Sequence, residues 1–203
     1  MSELNYRNFY IGSLISAVTA ACLLAGTWMI GKNAFFLLLN TDIGNAADTL
    51  FSFWTWLGDG SIWVIIVALV FIYRKKMLPL VFAAIVISTL ITQVTKNYIF
   101  PDQPRPTYGL IDMKQIHTVR GVELNKVNSF PSGHTGTAFS IFLTGCLLIR
   151  NRWVIPLGFL YASMVGYSRI YLAQHFPVDV GAGIITGLVT AFISLLIQKR
   201  FSR

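Results

Sequence analysis

Apolar residues run along this chain in blocks near twenty residues long, separated by short polar joints. An α-helix needs about twenty apolar residues to cross a bilayer, so the pattern predicts membrane spans rather than the striped helices of a soluble surface. Six are expected: Ile11–Ile30, Ile62–Tyr73, Leu78–Tyr98, Ser132–Ile149, Trp153–Ile170 and Val178–Ile197. The second holds only a dozen apolar residues and can begin earlier, near Asp59. Ahead of it, Asn45–Leu57 carries Leu50, Phe51, Phe53, Trp54, Trp56 and Leu57. That content suits a helix lying among lipid headgroups, with Trp54 and Trp56 as interface anchors. The expected fold class is all-α: a polytopic membrane protein of six transmembrane helices, residues 1–203 forming a single membrane domain.

Composition agrees. Of 203 residues, 55% are hydrophobic and 12% charged, too few charges to solvate a soluble domain of this size. The net charge of +8 raises the question of nucleic acid. The basic residues, however, sit at the ends of apolar blocks, with no basic helix or aromatic-basic platform, so the bilayer is the expected partner and nucleic acid is not. Cys22 and Cys146 lie inside apolar blocks and define no disulfide framework. Ile11–Ile30 is too long for the core of a cleaved signal, and no small-residue cleavage site follows it. Oligomeric state is not legible.

Charge also suggests orientation. One side holds Arg7, Arg74, Lys75, Lys76, Arg150, Arg152, Lys199, Arg200 and Arg203; the other holds Lys32, Lys96, Arg105, Lys114, Arg120, Lys126 and Arg169. Only Glu3 of the acids falls on the first side. Short basic joints such as Arg74-Lys75-Lys76 and Arg150-Asn151-Arg152 read as cytoplasmic anchors. Both termini are then cytoplasmic, and the long Phe100–Phe130 connection lies outside.

Three polar clusters fall on that outer face: Lys96 with Pro104-Arg105-Pro106, then Pro131-Ser132-Gly133-His134, then Ser168-Arg169 with His175 and Asp179. The third span exits there, the fourth enters, the fifth exits and the sixth enters, so topology brings the clusters together. Ser132 is a natural N-cap, and Gly133 leaves backbone N–H groups accessible at a helix N-terminus, which attracts anions. Lys96, Arg105 and Arg169 add three cations, and arginine binds phosphate through a bidentate fork. His175 lies four residues before Asp179, a spacing that lets the carboxylate fix one imidazole nitrogen and leave the other free to attack. His134 borders the same turn and can protonate a leaving oxygen. A metal is not expected, because the surrounding Lys and Arg repel a cation; no cofactor is expected either. His117 reads as loop surface, with a substrate contact as the alternative, and Thr107–Asn128 reads equally as a solvated loop or as a lid over a headgroup.

At these residues the chain resembles the type 2 phosphatidic acid phosphatase family, whose pocket is shared with vanadium-dependent haloperoxidases. The family pattern is Lys followed by Arg-Pro, then Pro-Ser-Gly-His, then Ser-Arg, His and Asp. The second part is intact at Pro131–His134. In the third, five residues separate Arg169 from His175 and three separate His175 from Asp179, as in the family. The first part departs: eight residues rather than six lie between Lys96 and Arg105, and a bulge over Pro101-Asp102-Gln103-Pro104 would absorb the excess. The resemblance covers about residues 45–197. It implies a six-helix fold, a phosphohistidine intermediate at His175 and metal-independent hydrolysis of a lipid phosphomonoester or diphosphate. Candidate substrates are undecaprenyl diphosphate, phosphatidylglycerol phosphate, phosphatidic acid and lipid A phosphates, the first ranked slightly ahead. The expected location is a bacterial cytoplasmic membrane, with the site facing outward. Two other functions remain open: a phosphotransferase with the same covalent half-reaction, and a transporter using the cations as an anion site and the histidines as a proton relay.

Overall fold

The computed structural model describes residues 4–201, and among them every regular element is helical. The helices are α1 (Tyr6–Ile30), α2 (Lys32–Leu39), α3 (Asn45–Trp56), α4 (Ile62–Tyr73), α5 (Leu78–Val94), α6 (Gly133–Leu148), α7 (Val154–Tyr171) and α8 (Pro177–Phe201). Three stretches are long and apolar enough to cross a membrane: Tyr6–Ile30, Lys75–Ile99 and Pro177–Phe201, each of 25 residues. At a rise of 1.5 Å per residue, each is about 37 Å long, more than the hydrocarbon core requires.

The first helix begins five residues ahead of its apolar block because Asn5 caps it, its side chain accepting from the Asn8 N–H. Helix α2 was not anticipated. It follows Gly31, which turns the chain at φ 91°, a conformation glycine adopts without a Cβ clash. Its Phe36 is fully buried and meets the Phe176 ring edge-on at 5.4 Å. The expected interfacial helix forms as α3, but one face of it packs on α7. Phe51 is buried against Tyr167 and Tyr171, and Trp54 donates its indole N–H to the Tyr161 carbonyl at 3.2 Å. Trp56 stays 76% exposed, so the anchor reading fits it better than Trp54.

Helix α6 occupies the centre, against α1, α5, α7 and α8. It is apolar all round, the pattern of a helix buried on every side; Phe139, Phe142, Leu143 and Leu147 are nearly inaccessible. Its closest neighbour is α8, and glycines set the approach. A Cβ on Gly183 would stand 2.7 Å from the Ser132 carbonyl oxygen and 2.8 Å from Thr135 Cβ, and one on Gly187 would stand 2.6 Å from Phe139 Cβ. Across this seam the Ser132 N–H donates to the Asp179 carbonyl at 2.9 Å, so the two helices start side by side.

The long connection between α5 and α6 is pinned at its base, where the Arg105 N–H donates to the Lys126 carbonyl and the Ser129 N–H to the Gln103 carbonyl. Ile116 inserts into the cluster of Phe36, Ile170, Phe176 and Val180. The reading of His117 as loop surface is corrected: its side chain is 11% exposed. Its Nε2 lies 3.1 Å from Asp48 Oδ1, its N–H donates to Asn40 Oδ1, and Tyr171 donates its hydroxyl to the same Asp48 oxygen. Asp48 and Asn40 lie far back in the sequence, which is why spacing around His117 gave no sign of them.

The α6–α8 seam yields a test. Gly183→Ala must push the Ser132 backbone away, and overpacking of this kind costs about 1–3 kcal/mol. A fall in detergent melting temperature of about 2–4 °C per kcal/mol is expected for a chain of this size. Gly60→Ala, with open space around its Cβ position, leaves the melting temperature unchanged.

Candidate active site

The three polar clusters do converge. The site is assembled from the end of α5, the base of the long connection, the start of α6, the end of α7 and the turn into α8. At its centre lies the seven-residue passage from Arg169 to His175. There the Arg169 carbonyl accepts from the N–H groups of both Gln174 and His175, at 2.9 and 3.0 Å. This tight turn, with Ala173 at φ 53°, ends α7 and aims His175 back into the protein.

His175 is 1% exposed. Its Nδ1 lies 3.5 Å from Asp179 Oδ2 and 3.5 Å from Ser129 Oγ. The same carboxylate oxygen accepts from the Ser129 hydroxyl at 2.5 Å and from the Phe176 N–H at 2.9 Å. Nδ1 is thus the nitrogen turned towards the carboxylate, leaving Nε2 as the other face of the ring. Ser129 was missed in the sequence, although it stands three residues before Ser132. Its only signal would have been the fixed distance to the helix start.

Arg105 and Arg169 are both 8% exposed. Arg105 donates from Nε to the Val127 carbonyl and from one terminal nitrogen to the carbonyl and Oε1 of Gln174, at 2.9, 2.9 and 3.1 Å. Arg169 donates to Thr55 Oγ1 at 2.5 Å and to the same Gln174 Oε1 at 3.4 Å, while its Nε is buried with no partner. Gln174 is the second residue sequence reading overlooked. A neutral amide holds two guanidinium groups in place without cancelling their charge, as a carboxylate would have done. Burial lowers the Arg105 pKa from its ordinary value, yet that value is so high that the group stays charged.

Lys96 lies in a π-turn, Thr95–Ile99, in which the Phe100 N–H donates to the Thr95 carbonyl at 2.8 Å. One of the two excess residues before Arg105 is therefore taken up at Lys96 itself, where a wide turn shifts the side chain's bearing. The expected bulge also exists, with Asp102 at φ 55°. Lys96 interacts electrostatically with Arg105, Arg169 and Asp179, so it faces the same cluster. Ser132 caps α6, its Oγ accepting from the Thr135 N–H at 3.4 Å, and Gly133 follows with no side chain. His134 and Gly133 line a cavity of about 160 Å³ with Gly58, Gly60, Thr92 and Gln93. Asp59 at its rim acts electrostatically on His134; the Ser61 N–H holds its carboxyl below the usual range.

Three cations, two helix starts and a single carboxylate therefore surround two imidazoles, an arrangement that can hold a phosphate and offer it a nucleophile and a proton donor. Among the described residues, the trio of carboxylate and imidazole groups close enough to share an ion is Asp42, Asp48 and His117, outside this cluster.

Fold and site together define a phosphatase-type membrane protein, and the chain belongs to the PAP2 superfamily, whose model matches residues 77–203. It is similar to the undecaprenyl-diphosphatase of Sulfolobus acidocaldarius, 30% identical over 187 residues that cover 87% of this chain and 84% of the relative. The crystal structure of Aquifex aeolicus LpxE superposes with a TM-score of 0.68 at 32% identity, covering 79% of this chain and 92% of that one. A PAP2-type phosphatidylglycerolphosphate phosphatase from Bacillus subtilis superposes with a TM-score of 0.65 over 95% and 96% of the two chains. At 24% identity that likeness speaks for the fold.

The site sets a pH dependence. Burial first, then Arg105, Arg169 and Lys96, hold the His175 pKa well below its ordinary 6.5. The unfolded chain therefore binds a proton that the folded chain refuses, and stability falls as pH drops below about 6.5. Replacing His175 with Asn should flatten this acid limb when melting temperature is followed from pH 7.5 to 5.

Proposed function

We propose that this chain is a membrane-bound lipid phosphatase that hydrolyses a lipid phosphomonoester or diphosphate through a phosphohistidine at His175. The observation that carries the reading is the imidazole of His175, neutral and turned by Nδ1 towards Asp179, beside a guanidinium whose Nε has no protein partner. Lys96, Arg105, Arg169 and the start of α6 at Ser132 and Gly133 hold the phosphate oxygens. His175 Nε2 gives its electron pair to phosphorus while Nδ1–H points to Asp179, with Ser129 holding that carboxylate. The bond to the leaving oxygen breaks as His134 supplies its proton. A water, deprotonated by His134, then attacks the phosphohistidine and releases inorganic phosphate. Each step moves charge onto oxygens already facing cations, where stabilisation is strongest, and none requires a metal.

The membrane arrangement proposed with it has six spans, α4, α6 and α7 joining the three long ones in one domain of which about 45–197 is the catalytic core. Helix starts at both α6 and α8 put the charged site at headgroup depth, which avoids the cost of ionised groups at the bilayer centre. The lipid tail then stays in the bilayer while its phosphate enters among the helix ends. With the basic joints cytoplasmic, the site faces outward from a bacterial cytoplasmic membrane. Undecaprenyl diphosphate ranks first among the substrates, in keeping with the name of the Sulfolobus relative.

Phosphate release from detergent-solubilised protein in excess chelator tests the chemistry. His175→Ala should lose on the order of 10⁴-fold or more on every substrate. The His134→Ala loss, about 10²–10⁴-fold, should shrink on a substrate with a good leaving group. Full activity in His175→Ala, or activity dependent on added zinc or magnesium, overturns the mechanism.

Orientation is tested separately. In a background lacking Cys22 and Cys146, single cysteines at positions 114 and 150 are exposed to a membrane-impermeant thiol reagent in intact bacterial cells. Labelling at 114 with protection at 150 is expected. The reverse puts the site in the cytoplasm.

A further inference from the structure

The cavity of about 160 Å³ beside His134 is walled by Ser88, Thr89, Thr92 and Gln93 of α5 and by Thr137 of α6. Those four residues carry all the polar side chains of α5. At 3.6 residues per turn they fall on one face, and a polar face within a membrane span calls for a polar partner.

A hydroxyl within a helix can donate to the carbonyl four residues back. Ser16, Thr19, Thr27, Ser140, Thr186 and Ser194 do so here, at 2.7 to 3.1 Å. The hydroxyls around the cavity do not. Among the described residues, those of Ser88, Thr89, Thr92 and Thr137 have no hydrogen-bond partner. Ser88 and Thr92 are 4% and 8% exposed, and a buried hydroxyl left unpaired is costly. All four face one space, so whatever fills it meets an array of unspent donors and acceptors.

The remaining wall is the turn between α3 and α4, where Gly58 and Gly60 meet the cavity. A Cβ on Gly58 would stand 3.1 Å from His134 Cβ, so glycine is what lets the turn approach the imidazole. Asp59 lies between the two glycines, its carboxylate fixed by the Ser61 N–H at 2.8 Å. The lining holds no Lys or Arg.

In the proposed reaction His134 gives its proton to the leaving oxygen. The group that this oxygen belongs to therefore sits on the His134 side of phosphorus, where the cavity is. A leaving group that is itself a phosphate would meet neutral hydroxyls there and, at the rim, the like charge of Asp59. A hydroxylated carbon skeleton would meet hydrogen-bonding groups that match its own. The volume is that of about five water molecules, room for a glycerol unit or one sugar ring. Next along the α5 surface come Val86, Leu90 and Val94, exposed by 53, 56 and 43%, an apolar stripe on which lipid chains can lie.

Given the phosphatase reading, on which this rests, we propose that the cavity is the leaving-group pocket and takes an uncharged hydroxylated unit, the glycerol or sugar through which a lipid carries its phosphate. Phosphatidylglycerol phosphate and lipid A phosphates then come ahead of the other two candidates. Phosphatidic acid leaves as a glycerol whose other hydroxyls are acylated, and undecaprenyl diphosphate leaves as a monophosphate. This order reverses the one suggested by the name of the Sulfolobus relative.

Detergent-solubilised protein is assayed for phosphate release from these four lipids, each at the same mole fraction in mixed micelles. Phosphatidylglycerol phosphate or lipid A should exceed both other substrates at least about tenfold in kcat/KM. In Thr92→Val and in Ser88→Ala, the ratio of the preferred substrate to phosphatidic acid should fall about 3–10-fold, because a hydrogen bond is lost that phosphatidic acid does not make. Being a ratio, it does not depend on how much of the variant folds. Thr19→Val, whose hydroxyl is satisfied within α1, keeps the ratio. Undecaprenyl diphosphate or phosphatidic acid turned over as fast as the other two, or an unchanged ratio in both cavity variants, overturns the pocket and leaves the phosphatase standing. No phosphate release from any of the four overturns the phosphatase reading and the pocket with it.

Discussion

The hydrogen bond from the Ser132 N–H to the Asp179 carbonyl joins the first residues of two central helices, α6 and α8. It can form because Gly183 and Gly187 let α8 approach within the space a Cβ would take. Everything chemical hangs from that seam. Ser132, Gly133 and His134 are positioned from one side of it and Asp179 from the other. Asp179 in turn holds Ser129 and faces His175. Two helix starts at one place also concentrate the positive ends of two macrodipoles, so an anion is favoured there before any side chain is counted.

Side chains then add charge that the protein itself leaves unneutralised. Lys96, Arg105 and Arg169 gather around one carboxylate, Asp179, which is itself occupied by Ser129 and the Phe176 N–H. Buried cations of like sign repel and lose hydration. Gln174 and the carbonyls of residues 127 and 128 offset this by solvating the guanidinium groups with dipoles. The result is a pocket whose field favours an anion, and the same cations, after burial, lower the proton affinity of His175.

The opposite end of the bundle repeats the logic with different materials. There too, side-chain amides, those of Asn5 and Asn8, donate to backbone carbonyls. Among the described residues, carboxylates gather at the active-site end, where Asp48 faces His117 and Asp179 faces His175.

The sequence by itself determined the helical class, the approximate limits of most helices and which motif-bearing polar residues gather at one end of the bundle. Apolar block length and the spacing of short polar motifs are local properties, and helix ends follow from caps such as Ser132 and from prolines such as Pro177. Even the irregular spacing after Lys96 pointed to a local distortion, although its division between a π-turn and the Asp102 bend was not foreseeable. Tertiary structure decided what depends on residues distant in the chain. Ser129 meets Asp179 across 50 positions, Gln174 meets Arg105 across 69, and His117 meets Asp48 across 69. A serine, a glutamine or a loop histidine carries no periodic or positional mark of such a partner. Its role appears only when packing brings the two segments within hydrogen-bond reach.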